Sequence, residues 1–425
     1  MKSIKEQPTQ QAIYIWNIVG SITNAMLSMI VLMIVTRTVD DRQADIFSIA
    51  WTISQLMATI GTYQIRNYQA TDVRGAFKFR QYLQFRFLTL GCMMLCSVIY
   101  IAVRHYDMYK SVIVFIVCIF RAVDSLADVY EGWFQQKERL DLTGKALTYR
   151  VIAAMIAFTI SLLLSRNLMV SCIVLTAAYV ICFFSFDLRY FIRVPGLQEE
   201  KGEKSSGGWI FKIIVAGFPL FLNGFIMMDI TNAPKMAIDT AISTGLMSNG
   251  DQTIFTVLFM PASILTLAYI VFRPLLTKMA LVWMQRKPKE FLRILGRILA
   301  CLFGVGILGL LAGAALGLPV LSIVYALDLS GYRMHLLIII LGGCIYTFSS
   351  VLDNALVVIR KQYILIVSYV ITWIYIKLMA EMFVNTGKMM GAALLYLSAM
   401  TIFLVVTFII FAVCFVREKK KLQLQ

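Results

Sequence analysis

Arg121, Asp124, Asp128 and Glu131 follow one another at steps of three, four and three inside an otherwise apolar run. At 3.6 residues per turn they fall on one stripe of a helix. An ionisable side chain inside a membrane span costs several kcal/mol unless it meets a partner or water, so the stripe must face something other than lipid. Two readings fit. Either Arg121 neutralises Asp124 while the lower carboxylates sit at the cytoplasmic interface, or the stripe forms a polar wall of a central cavity.

Further polar residues interrupt apolar runs in both halves of the chain: Asn17, Asn24, Arg86, Lys212, Asn223, Asp229, Asp353, Asn354, Lys377 and Glu381. Lys377 and Glu381 stand four apart, the spacing of a same-face helical pair. Arg86 and Lys212 lie close enough to the ends of their runs to extend their charges toward headgroups. His105 and His335 lie at the outer boundaries and are expected to be interfacial. The eight cysteines all fall in apolar runs and read as small packing residues, with no disulfide framework and no metal site. No P-loop is present, and no Ser, His and Asp have spacing that would make a nucleophile, so no catalytic residue is assigned. No cofactor is expected.

The elements that position these residues follow from composition. Of the 425 residues, 60% are hydrophobic and 15% charged, and the mean hydropathy is +0.80, more apolar surface than a water-soluble domain could hide. A bilayer core needs roughly 17 to 25 apolar residues per helix. That ruler gives an all-α polytopic membrane protein with twelve spans near 12–35, 44–65, 83–103, 111–132, 146–165, 168–188, 209–230, 251–272, 294–317, 333–359, 362–384 and 389–416. The segment 319–329 is a candidate for a short extra helix. Pro219 and Pro261 permit bends in the seventh and eighth spans, and Gly309, Gly313 and Gly317 allow close helix packing in the ninth.

Cytoplasmic loops retain an excess of Lys and Arg. Of the 39 such residues, 27 fall on the side shared by both termini and eight, Lys235 among them, on the other, so both termini are expected to be cytoplasmic. The net charge of +16 then reflects orientation and attraction to anionic lipid headgroups, not nucleic-acid binding. The mixed charges and Ser-Ser-Gly-Gly of the sixth connection suggest a flexible joint at 193–208 between six-helix lobes at 1–192 and 209–425. Equal span counts and a faint echo, Ile46-Phe47-Ser48 against Ile254-Phe255-Thr256, fit a parallel repeat.

The run Arg121, Asp124, Asp128-Val129-Tyr130-Glu131-Gly132, Gln135-Gln136, Arg139-Leu140-Asp141, Gly144-Lys145 and Arg150 resembles the fourth span and following loop of the Wzx-like oligosaccharide flippases. These belong to the multidrug, oligosaccharidyl-lipid and polysaccharide exporter (MOP) superfamily. Pro219-Leu220, Asn223, Asn232, Pro234-Lys235, Asp239 and Met260-Pro261 form a second match. The resemblance implies two lobes around an alternately opening cavity in the bacterial inner membrane. It implies as substrate a polyprenyl pyrophosphate-linked oligosaccharide, flipped to the outer leaflet for lipopolysaccharide- or capsule-type surface polysaccharide. Arg121 and Lys377 would then meet the pyrophosphate, and Asn17, Asn24, Asn223 and Asn354 the sugar. Antiport of H+ or Na+ is the implied coupling, with Asp124, Asp128, Glu131, Asp353 and Glu381 as candidate carriers. Implied partners are membrane lipids and the pathway's polysaccharide polymerase and glycosyltransferases. The alternatives are a MATE-like cation-coupled multidrug exporter, whose cavity should be net acidic, and a membrane polysaccharide polymerase, which should expose a long outer loop.

Overall fold

The computed structural model describes residues 8–72, 77–198, 208–268 and 273–424. Among these there is no β-strand, and almost every residue is helical. By internal packing the chain divides into two compact units, Met1–Met228 and Asp229–Gln425.

The first unit contains α1 (Gln10–Thr38), α2 (Asp41–Thr62), the short α3 (Ile65–Thr71), α4 (Phe79–Val103), α5 (Met108–Gln136), α6 (Leu140–Ser165) and α7 (Leu168–Arg193). α8 (Trp209–Ser243) begins in the first unit and ends in the second. The second continues with α9 (Asp251–Ala268), α10 (Arg273–Met284), α11 (Pro288–Tyr325), α12 (Arg333–Val358) and α13 (Ile366–Leu424). Every expected span falls on one of these helices. Residues 269–272 of the eighth span, and 199–207 of the expected joint, lie outside the described residues.

Short polar side chains set the helix starts. Asp40 accepts from the Gln43 amide at 2.8 Å, Asp107 from Lys110 at 2.9 Å and Asn167 from Val170 at 3.2 Å, each satisfying an otherwise orphaned N–H. Among the described residues, eight helices are long and apolar enough to cross a bilayer, namely α1, α4, α6, α7, α8, α11, α12 and α13. α13 is two helices joined at Lys388, whose φ of 49° and ψ of −127° break the helix between arms at 366–387 and 389–424. With α2, α5, α9 and the second arm of α13, the chain is a multi-pass membrane protein of about twelve spans. The segment 319–329 yields no separate helix through Tyr325. α11 runs on past a π-helical turn at Gly313–Gly317.

In the first unit α1 packs on α6 at a glycine crossing. A Cβ on Gly144 would stand 2.1 Å from the Trp16 carbonyl oxygen, and one on Gly20 would stand 3.0 Å from Gly144 Cα. Only hydrogen fits where the two backbones meet.

Candidate functional site

Between α2 and α3 the chain turns through two consecutive left-handed residues, Tyr63 (φ 49°) and Gln64 (φ 51°). A non-glycine residue in that region is disfavoured, so the turn is held by its surroundings. Tyr63 stacks on Phe221 of α8 with centroids 4.6 Å apart and meets Phe85 edge-on at 5.2 Å, and its hydroxyl donates to the Ile214 carbonyl. The reversal lays α3 against α5. Gln69 Nε2 donates to the Val129 carbonyl at 3.2 Å, and a Cβ on Gly132 would come within 2.5 Å of Gln69 Oε1.

α3 thereby delivers Arg66 to the acidic stripe of α5. Its Nη1 lies 3.1 Å from Asp128 and 2.8 Å from Glu131. Burial works against this charge, but Glu131 and Asp128 outweigh it and hold Arg66 above the ordinary guanidinium value. From α4, Arg86 donates to the other Asp128 oxygen at 2.9 Å and to the Gly61 carbonyl. From α6, Arg150 spreads its fork between Glu131 at 2.7 Å and Asp187 of α7 at 2.6 Å. The Arg150 guanidinium lies 4.9 Å from the Tyr179 ring centre, and the Tyr179 hydroxyl donates to Asp124 at 2.9 Å. Arg121 reaches Asp124 at 3.4 Å and lies 4.5 Å over the Trp51 ring.

Four arginines and four carboxylates from five helices thus form one connected network of zero formal charge. A buried ion pair is tolerable only where geometry is good and remaining polar atoms find partners, and the bidentate fork of arginine suits a carboxylate on each side. Arg86 does not extend to headgroups as its position in the sequence suggested. Its side chain is 0% exposed, because Asp128 and the Gly61 carbonyl supply internally what a headgroup would supply at the surface.

The second unit holds a smaller arrangement on one face of α13. Tyr369, Trp373 and Lys377 recur every four residues and meet carboxylates from two other helices. The Lys377 ammonium lies 2.7 Å from Asp229 of α8, and Trp373 Nε1 donates to the same carboxylate at 2.6 Å. Lys377 therefore engages a distant helix and not its neighbour Glu381. The Lys377 side chain is 47% exposed and that of Asp229 is 6% exposed. The Tyr369 hydroxyl donates to Asp353 Oδ2 of α12 at 2.9 Å, while the buried Oδ1 has no hydrogen-bond partner among the described residues.

Of the residues selected from the sequence, the structure joins Arg121, Asp124, Asp128 and Glu131 in one cluster. Asn17 and Asn24 are exposed on α1, Asn223 is half-buried on α8, and Glu381 is exposed on α13. Asn354 spends its amide on the Ser350 carbonyl of its own helix at 2.7 Å. Sequence reasoning gave no site role to Arg66, Arg150 or Asp187, although Arg150 closes the run that carries the resemblance. Four unpaired charges on one helix face were the available signal that other helices must answer them.

The chain matches no protein-family model and no curated protein. Solved structures do resemble it over nearly its whole length. An inward-facing multidrug resistance MATE family transporter of the MOP superfamily aligns with a TM-score of 0.63 at 10% identity, over 92% of this chain and 95% of that one. A mutant of the Vibrio cholerae MATE transporter VcmN aligns with a TM-score of 0.62 at 8% identity, over 98% of both chains. The fold is that of the MATE transporters. A MATE structure in the bent conformation aligns over 99% of this chain and 98% of its own, with a TM-score of 0.57 at 12% identity. At these identities the shared MATE architecture is structural, and the chemistry of the chain must be argued from its own residues.

Proposed function

We propose that this chain is a secondary-active transporter working by alternating access, and that its cargo is a polyprenyl pyrophosphate-linked oligosaccharide carried from the inner to the outer leaflet. The observation carrying the transport reading is the MATE fold across nearly the full chain. An anionic cargo is supported by the charge inventory of the first unit. Each carboxylate of the α5 stripe already has an arginine, which leaves no surplus negative charge there for an organic cation. Lys377, half exposed beside Asp229, and Arg121, the outlying member of its network, are the cations we assign to the pyrophosphate. Asn17, Asn24 and Asn223 retain the exposure needed for sugar hydroxyls.

Among the candidate carriers of the coupling ion, Asp353 is favoured over Asp124, Asp128 and Glu131. Those three are neutralised by arginines, whereas among the described residues Asp353 has only the Tyr369 hydroxyl and can exchange H+ or Na+ without dismantling an ion pair. The reading also assigns the chain to the bacterial cytoplasmic membrane with both termini inside, working beside a polysaccharide polymerase and glycosyltransferases. A second reading, cation-coupled multidrug export, is supported by the same Asp353, since a carboxylate without a cation partner suits an organic cation.

Expression in a flippase-deficient strain, scored with several lipid-linked repeats, separates the two. Restored surface polymer with any repeat supports flipping. Raised resistance to cationic drugs, with no polymer from any repeat, favours the exporter.

A further inference from the structure

From the sequence, Lys235 belongs to a connection outside the membrane. The structure instead carries α8 unbroken through Pro234 to Ser243, which puts Lys235 inside a helix that begins in the apolar seventh span. Lys235 is only 8% exposed, and Asn232, one turn earlier on the same face, is 3% exposed. The Lys235 ammonium lies 4.6 Å from the centre of the Phe259 ring of α9, which is met edge-on by Tyr396 of α13 at 4.7 Å. All four residues belong to the second unit.

No carboxylate of a described residue lies within ion-pairing distance of Lys235. The nearest on its own face, Asp239, is engaged with a partner of its own. Asn232 Nδ2 is buried without a hydrogen-bond acceptor among the described residues. The aromatic face of Phe259 attracts the ammonium but leaves its three N–H donors unspent. A buried cation and a buried amide donor therefore stand one helical turn apart with nothing among the described residues to accept from them, an arrangement that costs free energy until an acceptor arrives. The cations assigned above to the pyrophosphate, Arg121 and Lys377, each already face a carboxylate, and Lys235 adds to them a buried ammonium with none beside it among the described residues.

We infer that Asn232 and Lys235 form an oxyanion site in the second unit, taking phosphate or carboxylate oxygens of the transported molecule. The ammonium supplies charge, and the amide one turn away supplies a second, directional bond that a two-oxygen group can satisfy together with the first. This rests on the proposed transport of an anionic cargo and adds to it two residues on α8.

The test uses the full-length protein in nanodiscs and reads its thermal midpoint with undecaprenyl pyrophosphate, inorganic pyrophosphate or glucuronate as probe. Wild type is expected to gain stability with undecaprenyl pyrophosphate. Lys235→Met is expected to raise the midpoint without ligand, since it removes an uncompensated buried charge, and to abolish the ligand-induced rise. Asn232→Ala should weaken binding about tenfold, the loss of one charge-assisted hydrogen bond. A lower midpoint in unliganded Lys235→Met would mean that the lysine is structural and would overturn the site, as would an undiminished ligand response in both variants. If only inorganic pyrophosphate or glucuronate acts, and acts through Lys235, the oxyanion site stands while the lipid-linked cargo falls. Wild type indifferent to all three probes overturns the site.

Discussion

Arg150 and Asp187 meet at 2.6 Å in the first unit with 1% and 0% of their side chains exposed. The same arginine holds Glu131 with its other terminal nitrogen, so one guanidinium neutralises carboxylates from two helices. Removing it would leave Asp187 buried without its cation and Glu131 with Arg66 alone. Arg150→Ala is predicted to destabilise the first unit by about 3–5 kcal/mol, the range for breaking a buried pair. Arg150→Lys should recover little of this, because a point charge cannot reproduce the fork. Fluorescence-detected size exclusion after a heat step measures both, and a wild-type midpoint for Arg150→Ala would contradict the network.

Arg121 should behave differently. Its contact with Asp124 is long, at 3.4 Å, and Asp124 keeps the Tyr179 hydroxyl if Arg121 is lost. We predict that Arg121→Ala inserts and folds but fails to produce surface polysaccharide, stranding the lipid-linked precursor on the inner leaflet. Normal polymer from that variant would take Arg121 out of transport.

For the pair in the second unit, the half-exposed Lys377 is partly screened, so it contributes less than a buried partner would. Lys377→Met is predicted to cost about 1 kcal/mol, and Lys377→Met combined with Asp229→Asn to cost less than the single change. A double-mutant thermal cycle reads the coupling. Additive effects would mean that the two residues do not depend on each other.

Asp353→Asn should retain the hydrogen bond from Tyr369, because the amide oxygen still accepts, while removing the exchangeable charge. The predicted outcome is a protein of nearly unchanged stability that no longer couples transport to an ion gradient in proteoliposomes. Gradient-driven transport at the wild-type rate would transfer coupling to another group.

What was legible in the sequence follows from the ranges of the forces involved. Twelve spans were readable because the cost of apolar surface in water is set by each segment alone, and even the break at Lys388 falls where two apolar runs part. The stripe on α5 was readable because its members share a helix. Its partners were not, since Arg66, Arg86, Arg150 and Asp187 arrive from four other helices and only the tertiary fold brings them within 3 Å or so of their carboxylates. That the helix of the seventh span runs on through Lys235 was hidden for a related reason. Pro234 and the polar residues around it look like a connection by local chemistry, whereas packing in the second unit carries the helix through them.

The neutral network also governs how this chain enters a bilayer. α5 leaves the ribosome carrying three acids and a single arginine, before the arginine of α6 and the aspartate of α7 have been made. Taken alone it is a poor insertion substrate, because each charge at mid-membrane adds a few kcal/mol to the cost of partitioning. Its residence in the membrane is therefore a collective event. Arg66 of α3 and Arg86 of α4 are made before α5 and can already face its acids, whereas Arg150 and Asp187 join the network only when α6 and α7 follow.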